Sequence, residues 1–102
     1  MDEESQDSLA EMQNSVLGDA ELSALFRDYR SCAAISEILV KTGPGYVQQG
    51  SNPSLDQVEQ LLAARSVRGV QVRYQFKMTS WCDTLLPMAN GVRLVRIRQS
   101  PP

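Results

Sequence analysis

The chain has no histidine. That single absence removes the imidazole base, the Ser-His and Cys-His nucleophile pairs and the commonest nitrogen ligand for a metal. It has only two cysteines, Cys32 and Cys82, whose wide separation is neither a CxxC redox pair nor a metal-knuckle spacing. No apolar run approaches the ~20 residues that span a bilayer. The acidic start Met1-Asp2-Glu3-Glu4 lacks the positive and then apolar pattern of a secretory signal. Gly43-Pro44-Gly45 lacks the Gly-Lys-Ser/Thr ending of a phosphate loop, and no GxGxxG occurs. Cys82 beside Asp83 makes a poor nucleophile, because a neighbouring carboxylate raises a thiol's pKa. Together these absences lead us to expect a soluble, cytoplasmic, non-catalytic protein with reduced thiols, no cofactor, no metal and no membrane contact.

What is present fits one small domain. The 102 residues are 42% hydrophobic and 22% charged, close to globular averages. The net charge of -2 hides an asymmetry: residues 1–50 carry nine acids and three bases, residues 51–102 seven bases and three acids. Such polarity steers an acidic partner to one face or holds the two halves together.

Residues 1–17 are polar and acidic, with Leu9, Met12, Val16 and Leu17 at loosely helical spacing, and read as a mobile N-terminal segment. A single domain is expected over 18–99, followed by a short tail at 100–102. Asp19 reads as an N-cap for a helix over about 20–31, in which Leu22, Leu25, Phe26 and Tyr29 form one apolar stripe. The run at 36–41 is β-branched and ends at Thr42-Gly43-Pro44-Gly45, so we read a strand there against a competing helical reading. Ser54-Leu55-Asp56-Gln57 has the S-x-x-Q form of a capping box and opens a second helix over about 54–65.

The rest reads as sheet. Val70, Val72, Tyr74, Phe76 and Met78 alternate with polar residues, which predicts a half-buried strand at about 69–78 with Tyr74 and Phe76 in the core. Strands at about 80–86 and 92–98 follow, joined by a tight turn at Asn90-Gly91. In Val92-Arg93-Leu94-Val95-Arg96-Ile97-Arg98 the alternation slips. A bulge at Leu94–Val95 would keep the aliphatics inward and leave three arginines on an edge strand. The expected fold is a two-layer α+β domain: a three-stranded antiparallel meander, with 36–41 as a fourth strand, packed against two helices.

The candidate site is the Trp81-Cys82-Asp83-Thr84 segment within this basic sheet. A two-residue turn at Thr79-Ser80 would send Asp83 and Leu85 inward, while a three-residue turn would put Trp81 and Asp83 outside with Arg73 and Lys77. The second avoids burying a lone carboxylate and is preferred. The binding surface is then Arg73, Trp81, Asp83, Arg93 and Arg96 on the outer sheet face, and the expected partner is another protein. A nucleic-acid-binding module using the arginine-rich hairpins is the alternative, weakened by a pI near 5.0 and by Tyr74 and Phe76 lying on the apolar side. An enzyme subunit completed by a partner chain comes third.

Overall fold

The structure, a computed structural model, describes residues 12–43, 46–47 and 53–99. In chain order the elements are β1 (Met12–Leu17), α1 (Asp19–Cys32), β2 (Ala34–Gly43), β3 (Tyr46–Val47), α2 (Leu55–Ala63), β4 (Gly69–Phe76), β5 (Thr79–Met88) and β6 (Gly91–Gln99). All strands join one sheet in the order β1-β6-β5-β4-β2-β3, with every pairing antiparallel. The α+β class and the two helices match expectation. The sheet is larger than the three- or four-stranded meander, with five full strands and the two-residue β3. The 36–41 run is indeed strand, within β2.

The additional strand is β1. Residues 12–17 were expected to belong to the mobile acidic segment, yet they pair with β6 from Met12↔Ile97 to Leu17↔Val92. Four apolar positions in seventeen are too few for a helical stripe, and a partner some eighty residues away supplies what local periodicity cannot show. Residues 1–11 and the tail at 100–102 lie outside the described residues.

Helix α1 buries Leu22, Phe26 and Tyr29, at 3%, 0% and 2% exposure. Its cap position is Gly18 and not Asp19. The longer Glu21 side chain reaches back to accept from the Gly18 N–H at 2.7 Å, leaving Asp19 in the first turn, where a carboxylate favours the helix dipole. In α2 the capping box forms as expected: Gln57 N donates to Ser54 Oγ at 3.1 Å and Ser54 N to Gln57 Oε1 at 2.9 Å. Arg30, in the last turn of α1, ties the helices together through Asp56 and Glu59, both at 2.6 Å.

Both helices cover the same side of the sheet. Phe26, Val58 and Leu62 pack against Val70, Val72, Leu85 and Val92 in one core. Each such side chain contributes roughly 1.5–3 kcal/mol by burial. Phe76 was assigned to this core but is 37% exposed. It is the last residue of β4 and borders a hollow with Leu25, Tyr29 and Ala33 in place of close packing, and the Lys77 ammonium sits 5.3 Å from its ring centre.

Two turns fix the register of the meander. Phe76 pairs with Thr79, so the β4–β5 turn is Lys77-Met78, with φ of +52° and +65°. Both residues occupy the left-handed region that a type I′ turn requires. At the other end Met88 pairs with Gly91. The loop is therefore Ala89-Asn90, one residue earlier than expected. Gly91 has φ +148°, and a Cβ there would stand 2.5 Å from the Leu17 carbonyl oxygen. Only glycine lets β1 come this close.

Candidate functional site

With the turn at Lys77-Met78, the facing partners are Tyr74↔Trp81, Val72↔Asp83 and Val70↔Leu85. Trp81, Asp83 and Leu85 therefore share the helix-covered side with Val70, Val72 and Tyr74. The preferred outward placement of Trp81 and Asp83 is overturned: Asp83 is fully buried and Trp81 partly so. The argument against burial assumed a lone carboxylate, and Asp83 is not alone. Its Oδ2 accepts from Tyr29 Oη at 2.6 Å, Tyr74 Oη at 3.0 Å and Arg96 Nη2 at 2.9 Å, and its Oδ1 accepts from Arg96 Nε at 2.9 Å. A bidentate guanidinium and two phenols replace the water that the carboxylate gives up.

Arg96 reaches Asp83 because β6 has no bulge. Its pairing with β5 runs unbroken from Ser80↔Gln99 to Met88↔Gly91, placing Asp83 directly opposite Arg96. Nor is β6 an edge strand, since β1 flanks it. The expected bulge is instead in β2, between Ile35 and Glu37, where Ser36 Oγ donates to the Arg73 carbonyl at 3.0 Å.

The three donors around Asp83 hold their protons more tightly than in water. Burial raises the hydroxyl pKa of Tyr29 and of Tyr74 far above the ordinary value, and the Asp83 charge raises both further. Burial alone would lower the Arg96 pKa, but its hydrogen bonds to Asp83 and the carboxylate charge outweigh that and raise it. All three donors stay protonated at neutral pH. A hollow of about 280 Å³ lies beside it, between Leu25, Ala33, Phe76 and Arg96. Among the described residues no three His, Cys, Asp or Glu side chains gather as metal ligands would.

The opposite side of the sheet carries no helix among the described residues. Register places three rows across it. One runs Ile97, Cys82, Arg73, Glu37, the next Asn14, Val95, Thr84, Gln71, Leu39, and the third Val16, Arg93, Leu86, Gly69, Lys41. Val16, Leu86 and Ile97 are 44%, 37% and 44% exposed. Arg93 donates through Nε to Asn14 Oδ1 at 3.0 Å, and Arg73 lies 3.6 Å from Glu37. Cys82 is a free, buried thiol beneath this surface; burial pushes its pKa up, with Arg73 pulling the other way. A hollow of about 260 Å³ opens where Gly69 has no side chain, bordered by Leu39, Lys41, Arg68, Gln71 and Leu86. A Cβ at Gly69 would stand 3.0 Å from Leu86 Cδ2.

The five anticipated site residues are thus divided. Arg73 and Arg93 lie on the open face, while Trp81, Asp83 and Arg96 lie under the helices. Tyr29 and Tyr74, which complete the buried cluster, were placed in the sequence only as core residues. The apolar part of the open face was missed as well, because Leu86, Val95 and Ile97 were assigned inward. The doublets Leu85-Leu86 and Leu94-Val95 carried the signal: in a regular strand, one member of each must face the other side. The chain matches no protein-family model, no curated protein and no solved structure. The geometry alone carries the functional reading.

Proposed function

We propose that this chain is a non-catalytic protein-binding module whose contact surface is the open face of the sheet. One observation carries the reading. A half-apolar face with Val16, Leu86 and Ile97 exposed stands among Arg73, Arg93 and Lys41, while the buried polar cluster on the other side is satisfied within itself. Aliphatic anchors beside arginines are the composition of a protein interface, and isolated arginines over a polar surface are not. This differs from the surface anticipated from the sequence, since Trp81, Asp83 and Arg96 now stabilise the domain and leave Arg73 and Arg93 to bind. A cytoplasmic setting suits the free Cys82 thiol, and no helix among the described residues is long and apolar enough to cross a membrane.

The test is the double variant Leu86→Ser plus Ile97→Ser, compared with the unmodified chain in urea unfolding and in capture of proteins from the native host. The reading requires a protein species that the unmodified chain retains and the variant loses, with little change in stability. Captured material that is nuclease-sensitive, with affinity falling steeply with salt, would assign the face to nucleic acid instead. Identical capture by both chains would overturn the reading.

A further inference from the structure

Gly69 interrupts the side-chain rows of the open face. Register sets it in the third row, between Leu86 on β5 and Lys41 on β2. Two strand spacings, roughly 10 Å, separate those neighbours, and the side chain that would fill the middle is missing. A glycine inside a strand gives up packing, and it marks a place where another molecule comes close to the backbone. The hollow it leaves, about 260 Å³, has Leu39 and Leu86 as its aliphatic wall, with half-buried Gln71 and Thr84 in the adjoining row.

The other end of the hollow is cationic. The Arg68 N–H donates to the Lys41 carbonyl at 2.8 Å, which sets these two residues side by side where the pairing of β2 with β4 ends. Both are exposed, and neither makes an ion pair among the described residues. Arg30, Arg73 and Arg96, by contrast, each face a carboxylate of this chain. An aliphatic wall and two uncompensated positive charges therefore meet over one glycine.

These features discriminate among occupants. The lining holds no aromatic ring on which a base could stack. No buried side-chain polar atom among the described residues lacks a partner, so none is held ready to orient a small polar ligand. A second copy docking through the same face would bring like charges against Lys41 and Arg68. A protein segment with an aliphatic side chain and a carboxylate beside it matches the hollow in both shape and charge.

We propose that the hollow over Gly69 is a side-chain pocket for an acidic peptide segment. One aliphatic side chain of the segment enters between Leu39 and Leu86, and an adjacent carboxylate pairs with Lys41 and Arg68. This rests on the reading of the open face as the binding surface, and it names the part of that face that selects the partner. Burial of the aliphatic group holds the segment, while the two cations discriminate against neutral and basic ones.

The experiment titrates the full chain with three blocked peptides, followed by amide NMR: acetyl-Gly-Leu-Glu-Glu-Gly-amide, its Gln-Gln analogue, and an analogue with Gly in place of Leu. The acidic leucine peptide should shift the amides of Gly69, Gln71, Thr84 and Leu86 to saturation, with an affinity about fivefold above either analogue. Lys41→Gln plus Arg68→Gln should bring it down to the level of the Gln-Gln peptide. Gly69→Ala should remove saturation by both leucine peptides, because the added Cβ meets Leu86 Cδ2 at 3.0 Å and fills the hollow. Urea unfolding checks each variant, and the exposed Lys41 and Arg68 pair carries the test if Gly69→Ala is destabilised. Equal affinity for the acidic and Gln-Gln peptides, shifts centred on Arg73 and Arg93 instead of Gly69, or no saturable shift up to about 10 mM would overturn the pocket. Partner capture that is lost with Leu86→Ser plus Ile97→Ser but kept with Lys41→Gln plus Arg68→Gln would overturn the pocket alone. Capture unchanged in both would overturn the face itself, so the two ideas fail separately.

Discussion

Arg93 and Arg96 stand three positions apart on β6, and the sheet sends them into opposite environments. Arg96 turns under the helices, clamps a fully buried carboxylate through two nitrogens and is itself shielded. Arg93 turns to the open face and makes a single bond to an asparagine side chain. The same residue type is a structural rivet on one side and a surface charge on the other. The difference lies in desolvation: a buried charge is cheap only while its partner is present, whereas a solvated charge is nearly indifferent to its neighbours.

The largest test of that contrast removes each arginine in turn. Arg96→Ala leaves Asp83 buried without its counter-charge and should destabilise the domain by about 3–5 kcal/mol in urea unfolding. Arg93→Ala should stay within about 0.5 kcal/mol. Comparable losses would mean that the faces of β6 are assigned wrongly.

The second test uses pH. Tyr29 and Tyr74 have hydroxyl pKa values raised in the folded chain. Below about pH 10 both folded and unfolded chains keep these protons, and the pair imposes no pH dependence. Above it the unfolded chain releases them while the folded chain holds them, so stability falls as pH rises. The slope should be about 1.4 kcal/mol per pH unit for each tyrosine, near 2.7 for both. Urea midpoints measured between about pH 9 and 11.5 should show it, and Tyr29→Phe should halve it. An unchanged midpoint would remove the two phenols from the buried side.

Two smaller effects concern the hairpin tip. Lys77→Asn with Met78→Gly places residues suited to positive φ in the turn and should stabilise the domain by about 1–2 kcal/mol. Destabilisation would show that the turn lies elsewhere and that the inward set on β5 is shifted. Phe76→Ala should cost on the order of 1 kcal/mol, well below the roughly 3–5 of a buried aromatic, because its ring is partly solvated. A loss in the full range would restore Phe76 to the core.

Elements with a local cause were legible in the sequence. The Ser54–Gln57 box, the α1 stripe and the β4 alternation each depend on residues within two turns or one strand. What was not legible depended on distant partners. The β1 strand exists because β6 offers a free edge, and Asp83 is buried because Tyr29, 54 positions away, donates to it. Even so, two local anomalies pointed to the buried cluster. Arg96 breaks the alternation of β6, and Asp83 falls inward under one of the two turn choices. Each looked like a defect to be relieved, by a bulge in one case and an extra turn residue in the other. Taken together, opposite charges facing inward on neighbouring strands are a pair. Of the candidate surface, Arg73 and Arg93 were found by charge and strand parity, whereas its aliphatic part was lost to the assumption that aliphatic residues seek the core.

The pairing of β1 with β6 has a consequence in time. The first strand of the sheet closes against the last, so during synthesis residues 12–17 emerge long before residues 92–97 exist. At about 5–20 residues per second the interval is on the order of 4–16 s. Throughout it Met12-Gln13-Asn14-Ser15-Val16-Leu17, which carries no charge, has no strand to pair with. A rearranged chain that begins at Asp19 and carries residues 12–17 after Gln99 would turn this late, long-range closure into the docking of one more hairpin.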